Sequence, residues 1–235
     1  MKKIFLYGLL FAFVGLLAAC KNDKNNPDEQ DTNSYPYLRV SDLMPLELLS
    51  ISQAETKLAN MGYTGGWQKY IDEDGYQEEG YLYTSKSKKD TIVLDTDPEY
   101  GVVTVVYKAS KGVIPSEARA WLSHVPEKVT IPQKAIEISG KQNLTFSSAW
   151  TRSLIDGEII ANTNKYSEYL EMTKDISSGI DFGALWGTLA IDSQWPSGYY
   201  GGALLFYSYE NNRDYAAITI AFYHHEQNDN KPLDN

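Results

Sequence analysis

The chain has 235 residues, with 31 acidic against 21 basic side chains and a formal charge of −10. That balance argues against a nucleic-acid binder, which needs clustered Lys and Arg to displace counterions. It equally opposes an anionic lipid face as partner. A single cysteine leaves no internal disulfide, so roughly 200 residues must be held by a hydrophobic core alone.

The first element is a leader. Met1-Lys2-Lys3 is followed by an apolar run from Ile4 to Leu17. That run is shorter than the roughly 20 residues that span a bilayer, and it has the layout of a signal peptide. It ends Leu17-Ala18-Ala19-Cys20. This order resembles the lipobox of bacterial lipoproteins. The resemblance implies that residues 1–19 are removed and that Cys20 is lipidated and becomes the mature N-terminus. Buried acyl methylenes contribute about 0.8 kcal/mol each, so several chains hold firmly without help from the protein surface. Losing the leader removes two lysines and no acid, which leaves the remainder more acidic still.

Residues 20–34 read as the lipidated cysteine and a flexible tether. From Lys21 to Ser34 Pro27 is the one apolar side chain, too little to offset the entropy of ordering. A polar stretch of this kind after the cysteine resembles envelope lipoproteins of the Bacteroidota. That implies an outer-membrane anchor facing either the cell surface or the periplasm.

Beyond the tether, Ser52-Gln53-Ala54-Glu55 has capping-box spacing, and Ala54, Leu58 and Met61 share a helical face. A helix is expected over 53–61, stopped by Gly62. Asp74-Gly75 signals a tight turn. Residues 81–85, 91–95 and 100–108 alternate as strands. Ala118, Trp121, Leu122 and Val125 predict a second helix over 116–125, ended by Pro126. The helix-then-strands order resembles PepSY-like and β-lactamase-inhibitor-like envelope domains, with no motif that transfers residues.

Two prolines between Val125 and Ala135 suggest a junction, dividing the chain into an α+β segment (35–130) and a β-rich segment (131–226), with a polar tail at 227–235. In the second segment Asp156-Gly157 marks a turn, and residues 165–177 suit a helix or a strand. Residues 203–225 read as a hairpin turning at Asn211-Asn212. Tyr100–Tyr107 echoes Tyr215–Phe222, by duplication or because half-buried strands share a period of two. The expected class is α+β, predominantly antiparallel sheet with two or three short helices.

Chemical signatures are sparse. His224 and His225 are adjacent, so on a strand they point to opposite faces and cannot easily share a metal. No Gly-x-Ser-x-Gly elbow accompanies the three histidines. Asp72, Glu73 and Asp74 form the densest acidic group, but Tyr83 stands where a calcium loop needs its last carboxylate. No cofactor or metal is implied. Aromatic loops are the remaining candidates: Trp195, Tyr199 and Tyr200 among glycines and Pro196, then Trp67 and Tyr70 after Gly65-Gly66. Exposed Trp and Tyr supply rigid contact area with a polar handle. The sequence thus favours a non-enzymatic, lipid-anchored binding or accessory module for a glycan or an envelope protein. A carboxylate-dependent hydrolase and an assembly component without a small ligand are the alternatives.

Overall fold

The computed structural model describes residues 37–72, 75–87, 89–109, 112–139, 142–187, 200–210 and 215–225, with backbone alone at 138–139, 200–207, 215 and 222–225. The strands are β1 (Tyr63–Ile71), β2 (Gln77–Ser85), β3 (Asp90–Asp97), β4 (Gly101–Ala109), β5 (Lys128–Thr130), β6 (Asn143–Ser153), β7 (Ile159–Thr163), β8 (Ile180–Gly187), β9 (Tyr200–Glu210) and β10 (Tyr215–His225). They form one sheet in the order β1-β2-β3-β4-β10-β9-β8-β6-β5, with β7 paired to β6 beside this path. Every pairing is antiparallel. The helices are α1 (Val40–Leu43), α2 (Ile51–Asn60), α3 (Pro115–Leu122), α4 (Gln133–Ser139) and α5 (Tyr166–Lys174). The protein is therefore α+β and mostly antiparallel sheet, as its alternating strands imply, with five short helices among the described residues.

The helices pack on one face of the sheet. A single core cluster unites Leu43, Leu58, Trp121, Leu122, Ala135 and Tyr169 with Leu94, Val105, Tyr107, Ile218, Ile220 and Trp186. Helices on one face explain the period-two burial of β4, where Val105, Tyr107 and Ala109 are buried and Thr104, Val106 and Lys108 are half-buried. The two echoing strands are direct neighbours: Val105 pairs with Ile220 and Tyr107 with Ile218. Residue 130, where the two sequence segments meet, ends β5, and β5 pairs with β6.

Among the described side chains, most large aromatics are consumed by this core. The Trp121 indole N–H donates to the Leu38 carbonyl at 2.8 Å, and the Trp186 indole N–H to Pro126 at 2.9 Å. Tyr169 donates to the Leu122 carbonyl at 2.5 Å, and Tyr166 to Val125 at 2.7 Å. Burial pushes the Tyr169 and Tyr107 hydroxyls well above their ordinary titration range, so they stay protonated. Each ring thus contributes apolar area while its polar atom remains satisfied.

The first helix departs from its expected start. Ser50, not Ser52, caps α2: its Oγ accepts from Gln53 N–H, while Gln53 Oε1 accepts from Ser50 N–H at 3.1 Å. Ser50-Ile51-Ser52-Gln53 is itself a capping-box sequence, and tertiary contacts select it. The Leu48 N–H donates to the Val102 carbonyl at 2.6 Å, and the Val102 N–H to the Leu49 carbonyl at 2.8 Å, which fixes the approach to Ser50. Gly101 permits this crossing, since a Cβ there would lie 2.2 Å from the Leu49 carbonyl oxygen. Glu55, the expected capping partner, instead accepts from the Tyr83 hydroxyl at 3.2 Å. The second predicted helix ends at Leu122, three residues early, in a turn closed by Val125 N–H to Leu122. The ambiguous stretch 165–177 is the helix α5, and α4 has no counterpart in the sequence reading.

Candidate functional site

Of the aromatic candidates, Trp195 and Tyr199 lie outside the described residues, as does Cys20. Tyr200 opens β9 and pairs with His225; its side chain lies outside the description. Trp67 stands on β1, the outermost strand, and is 61 % exposed. It shares its face with buried Tyr63, at the end of a cross-strand row that runs through Tyr81, Leu94 and Val105. Its ring meets Tyr81 edge-on at 5.1 Å. Tyr70, three residues on, lies on the opposite face and passes over Gly80. Trp67 and Tyr70 therefore do not form one surface. Ile71 and Tyr76 add exposed apolar area at the same end of the sheet. Asp72 serves the turn there, its Oδ1 accepting the Tyr76 N–H at 2.8 Å.

A second aromatic surface lies at the other side of the sheet. In β6 the register against β8 shifts between Phe146 and Ser148. This bulge lets Phe146 and Ala149 both reach the core, and it sends Ser148 and Trp150 to the face away from the helices. Trp150 is half-buried. Its indole lies on β8 over Gly183, where a Cβ would stand 2.5 Å from the ring. Leu185 and Ala221 pack against it from the same face.

Beside Trp150 runs a groove of about 470 Å3 lined by Ser148, Ala149, Trp150, Ile159, Asn162, Thr163, Asn164, Lys165 and Glu168. Asn162 is the cross-strand partner of Trp150 and lines the same groove. The start of α5 forms the rim. Thr163 Oγ1 donates to Glu168 Oε2 at 2.5 Å, and Lys165 Nζ donates to Glu168 Oε1 at 2.7 Å. The bonds from Lys165 and Thr163 hold the Glu168 carboxyl below its usual range, and the bond to Glu168 lifts the Lys165 ammonium above its own. Both stay charged at neutral pH. A neighbouring groove of about 510 Å3 is lined by Lys128, Gln142, Asn143, Thr145, Phe146, Ser147 and Gly187.

Neither groove brings two carboxylates together. Among the described residues no group of three or more His, Cys, Asp and Glu is placed to hold a metal ion. His224 and His225 follow one another on β10, paired with Gly201 and Tyr200. The sequence reading passed over Trp150 and its polar neighbours. Plain alternation puts Trp150 on the same face as Phe146, and only the bulge turns it outward.

Fold and groove together define a class only: a broad antiparallel sheet with helices on one face and a groove between β6, β7 and the start of α5. Comparison with protein families, curated proteins and solved structures finds no match.

Proposed function

We propose that this chain is a lipid-anchored protein of the bacterial outer membrane that serves as a non-enzymatic binding or accessory module for a glycan or another envelope protein. The observation that carries this reading is the order at the N-terminus: two lysines, the apolar run Ile4–Leu17, then Leu17-Ala18-Ala19-Cys20. The polar stretch from Lys21 to Ser34 supports it as a tether. The binding part is supported by two partly exposed aromatic side chains toward opposite ends of the sheet, Trp67 and Trp150. Two-acid hydrolysis needs an acid on each side of the scissile bond, and each of the two grooves described has at most one carboxylate.

Growth with a labelled fatty acid tests the anchor. The protein is expected to carry the label and to fractionate with outer membranes, and Cys20→Ser to lose both properties. A Cys20→Ser protein that still carries label at wild-type level overturns the assignment. Protease shaving of intact cells, with a periplasmic control, then separates surface display from a periplasm-facing anchor.

A further inference from the structure

We propose that β1 is a docking edge and that its partner is β1 of a second copy of this chain, paired antiparallel about a two-fold axis at Trp67. This rests on the reading of the chain as a binding module, names the partner of its Trp67 side, and is independent of the lipid anchor. The two edges of the sheet are finished differently. Along the outer side of β6 lie only short strands, β5 with three residues and β7 with five. Short edge strands are one way in which folds prevent edge-to-edge pairing. β1 has nine residues, about 30 Å of extended chain, and pairs with β2 along its whole length. It ends the sheet among the described strands. A strand in that position turns a row of backbone donors and acceptors outward, and another extended strand is what satisfies them. β1 also carries two exposed apolar side chains, Trp67 and Ile71. Its one charged residue is Lys69.

Charge selects a second copy over other strands. The Ile71 end of the edge is acidic: Asp72 follows β1, and Glu78 and Glu79 stand opposite Tyr70 and Lys69 on β2. The Tyr63 end carries lysines: Lys57 in the last turn of α2, and Lys86 and Lys89 in the β2–β3 turn, one strand in from the edge. Glu55 and Asp90 also stand there, accepting from the Tyr83 and Tyr63 hydroxyls. A uniformly basic or uniformly acidic strand would gain at one end and lose at the other. A second β1 laid parallel would set acidic turn beside acidic turn. Laid antiparallel, each acidic turn comes toward the lysine-bearing end of the other copy. With Trp67 opposite Trp67, Ile71 falls opposite Tyr63 and Lys69 opposite Gly65, so no like charges face each other across the new pair. The same patch serves both copies, so the contact closes at two.

Sedimentation of the full chain in mild detergent, over a wide concentration range, tests this. A reversible dimer is expected, since one strand edge buries less than a permanent interface does. Trp67→Lys and Trp67→Glu each set like charges across the axis and should weaken the dimer about tenfold or more. Mixing the two variants should restore it as a heterodimer. Trp67 is exposed, so both variants keep the fold, and urea unfolding checks that they do. A second measurement uses the single cysteine of the chain. Trp67→Cys in a Cys20→Ser chain leaves one thiol, which diamide should oxidise to a covalent dimer, whereas Ile159→Cys on β7 in the same background should stay monomeric. A chain that is monomeric at every concentration, or a dimer indifferent to Trp67→Lys, overturns the proposal. So do open-ended assemblies that Ile159→Lys dissolves, which pair β1 with β7 of the next copy. None of these results touches the fatty-acid label at Cys20, so the anchor stands or falls on its own experiment.

Discussion

The two halves of the sheet are built to one plan and used differently. The first half runs two short helices, α1 and α2, then the meander β1-β2-β3-β4. The second runs α3 and α4, then β6, β8, β9 and β10, which meet the first half through the β4–β10 pair. The second half has in addition β5, between α3 and α4, and β7 with α5, between β6 and β8. The first half makes its strand turns directly, and its far side ends on β1 with Trp67 exposed. In the second half β7 and the start of α5 bring Asn162, Asn164, Lys165 and Glu168 to one groove beside β6.

The sharpest contrast lies within one row of the sheet. Trp67, Tyr81, Leu94, Val105 and Ile220 belong to a cross-strand row that continues to Trp186 and Phe146. Trp186 is fully buried, among Phe146 and Tyr169, whereas Trp67 is 61 % exposed. Trp186→Ala is expected to cost about 3–5 kcal/mol and Trp67→Ala less than about 1 kcal/mol, as read by urea unfolding. Similar costs at the two ends would break the contrast.

Glycine positions sharpen it next. Each half lays an aromatic ring over a glycine on the face away from the helices. At Gly80 a Cβ would meet Tyr70 at 3.9 Å, an ordinary contact, but at Gly183 it would stand 2.5 Å from the Trp150 ring. Gly183→Ala is expected to cost about 1–3 kcal/mol by overpacking and to shift the indole fluorescence. Gly80→Ala should be close to neutral in the same measurements.

A third difference is electrostatic. The link between α1 and α2 buries Glu47, 3 % exposed, with neither carboxyl oxygen hydrogen-bonded. The link between α3 and α4 keeps Glu127 and Lys128 exposed. Burial pushes the Glu47 carboxyl well above its usual range, opposed in part by the nearby Val105 amide, which does not reach hydrogen-bond geometry. The folded state therefore holds a proton that the unfolded chain releases above about pH 4.3. Stability falls as pH rises through that value, by up to about 1.4 kcal/mol per unit, until the folded carboxyl itself ionises. Glu47→Leu should stabilise the protein at pH 7–8, with the gain vanishing near pH 4. Unfolding midpoints across that range check this, and a gain that does not vary with pH would show that Glu47 is ionised when folded.

The smallest expected effect concerns the α2 cap. Ser50→Ala should cost about 1 kcal/mol, and Ser52→Ala close to nothing. The reverse order would restore the start read from the sequence.

Much of the scaffold was legible because it depends on short-range periodicity. Alternation in 100–108, the helical face of Ala118, Trp121 and Leu122, and the turn at Asp156-Gly157 each follow from residues a few positions apart. The α2 cap was not, since Ser50 and Ser52 offer equivalent boxes and the choice is made by Val102, half a sheet away in sequence. α4 went unread because it lies in a stretch with two prolines, and what holds it is tertiary: Ala135 in the core, and Lys134 Nζ donating to the Leu48 and Tyr100 carbonyls at 3.3 and 3.2 Å. Of the aromatic sites, Trp67 was legible as an exposed ring after two glycines, but it stands on strand β1 and not in a loop, and its separation from Tyr70 follows from strand pairing.

By itself the sequence determined the composition of the core, the antiparallel α+β class and the expectation of a lipid anchor at Cys20, all of which rest on local pattern and chemical type. Tertiary structure alone decided that the two echoing strands pair, that the helices share one face, and that a one-residue bulge in β6 turns Trp150 outward. Those outcomes depend on register between strands far apart in the chain. A shift of one residue there exchanges the faces of every side chain that follows.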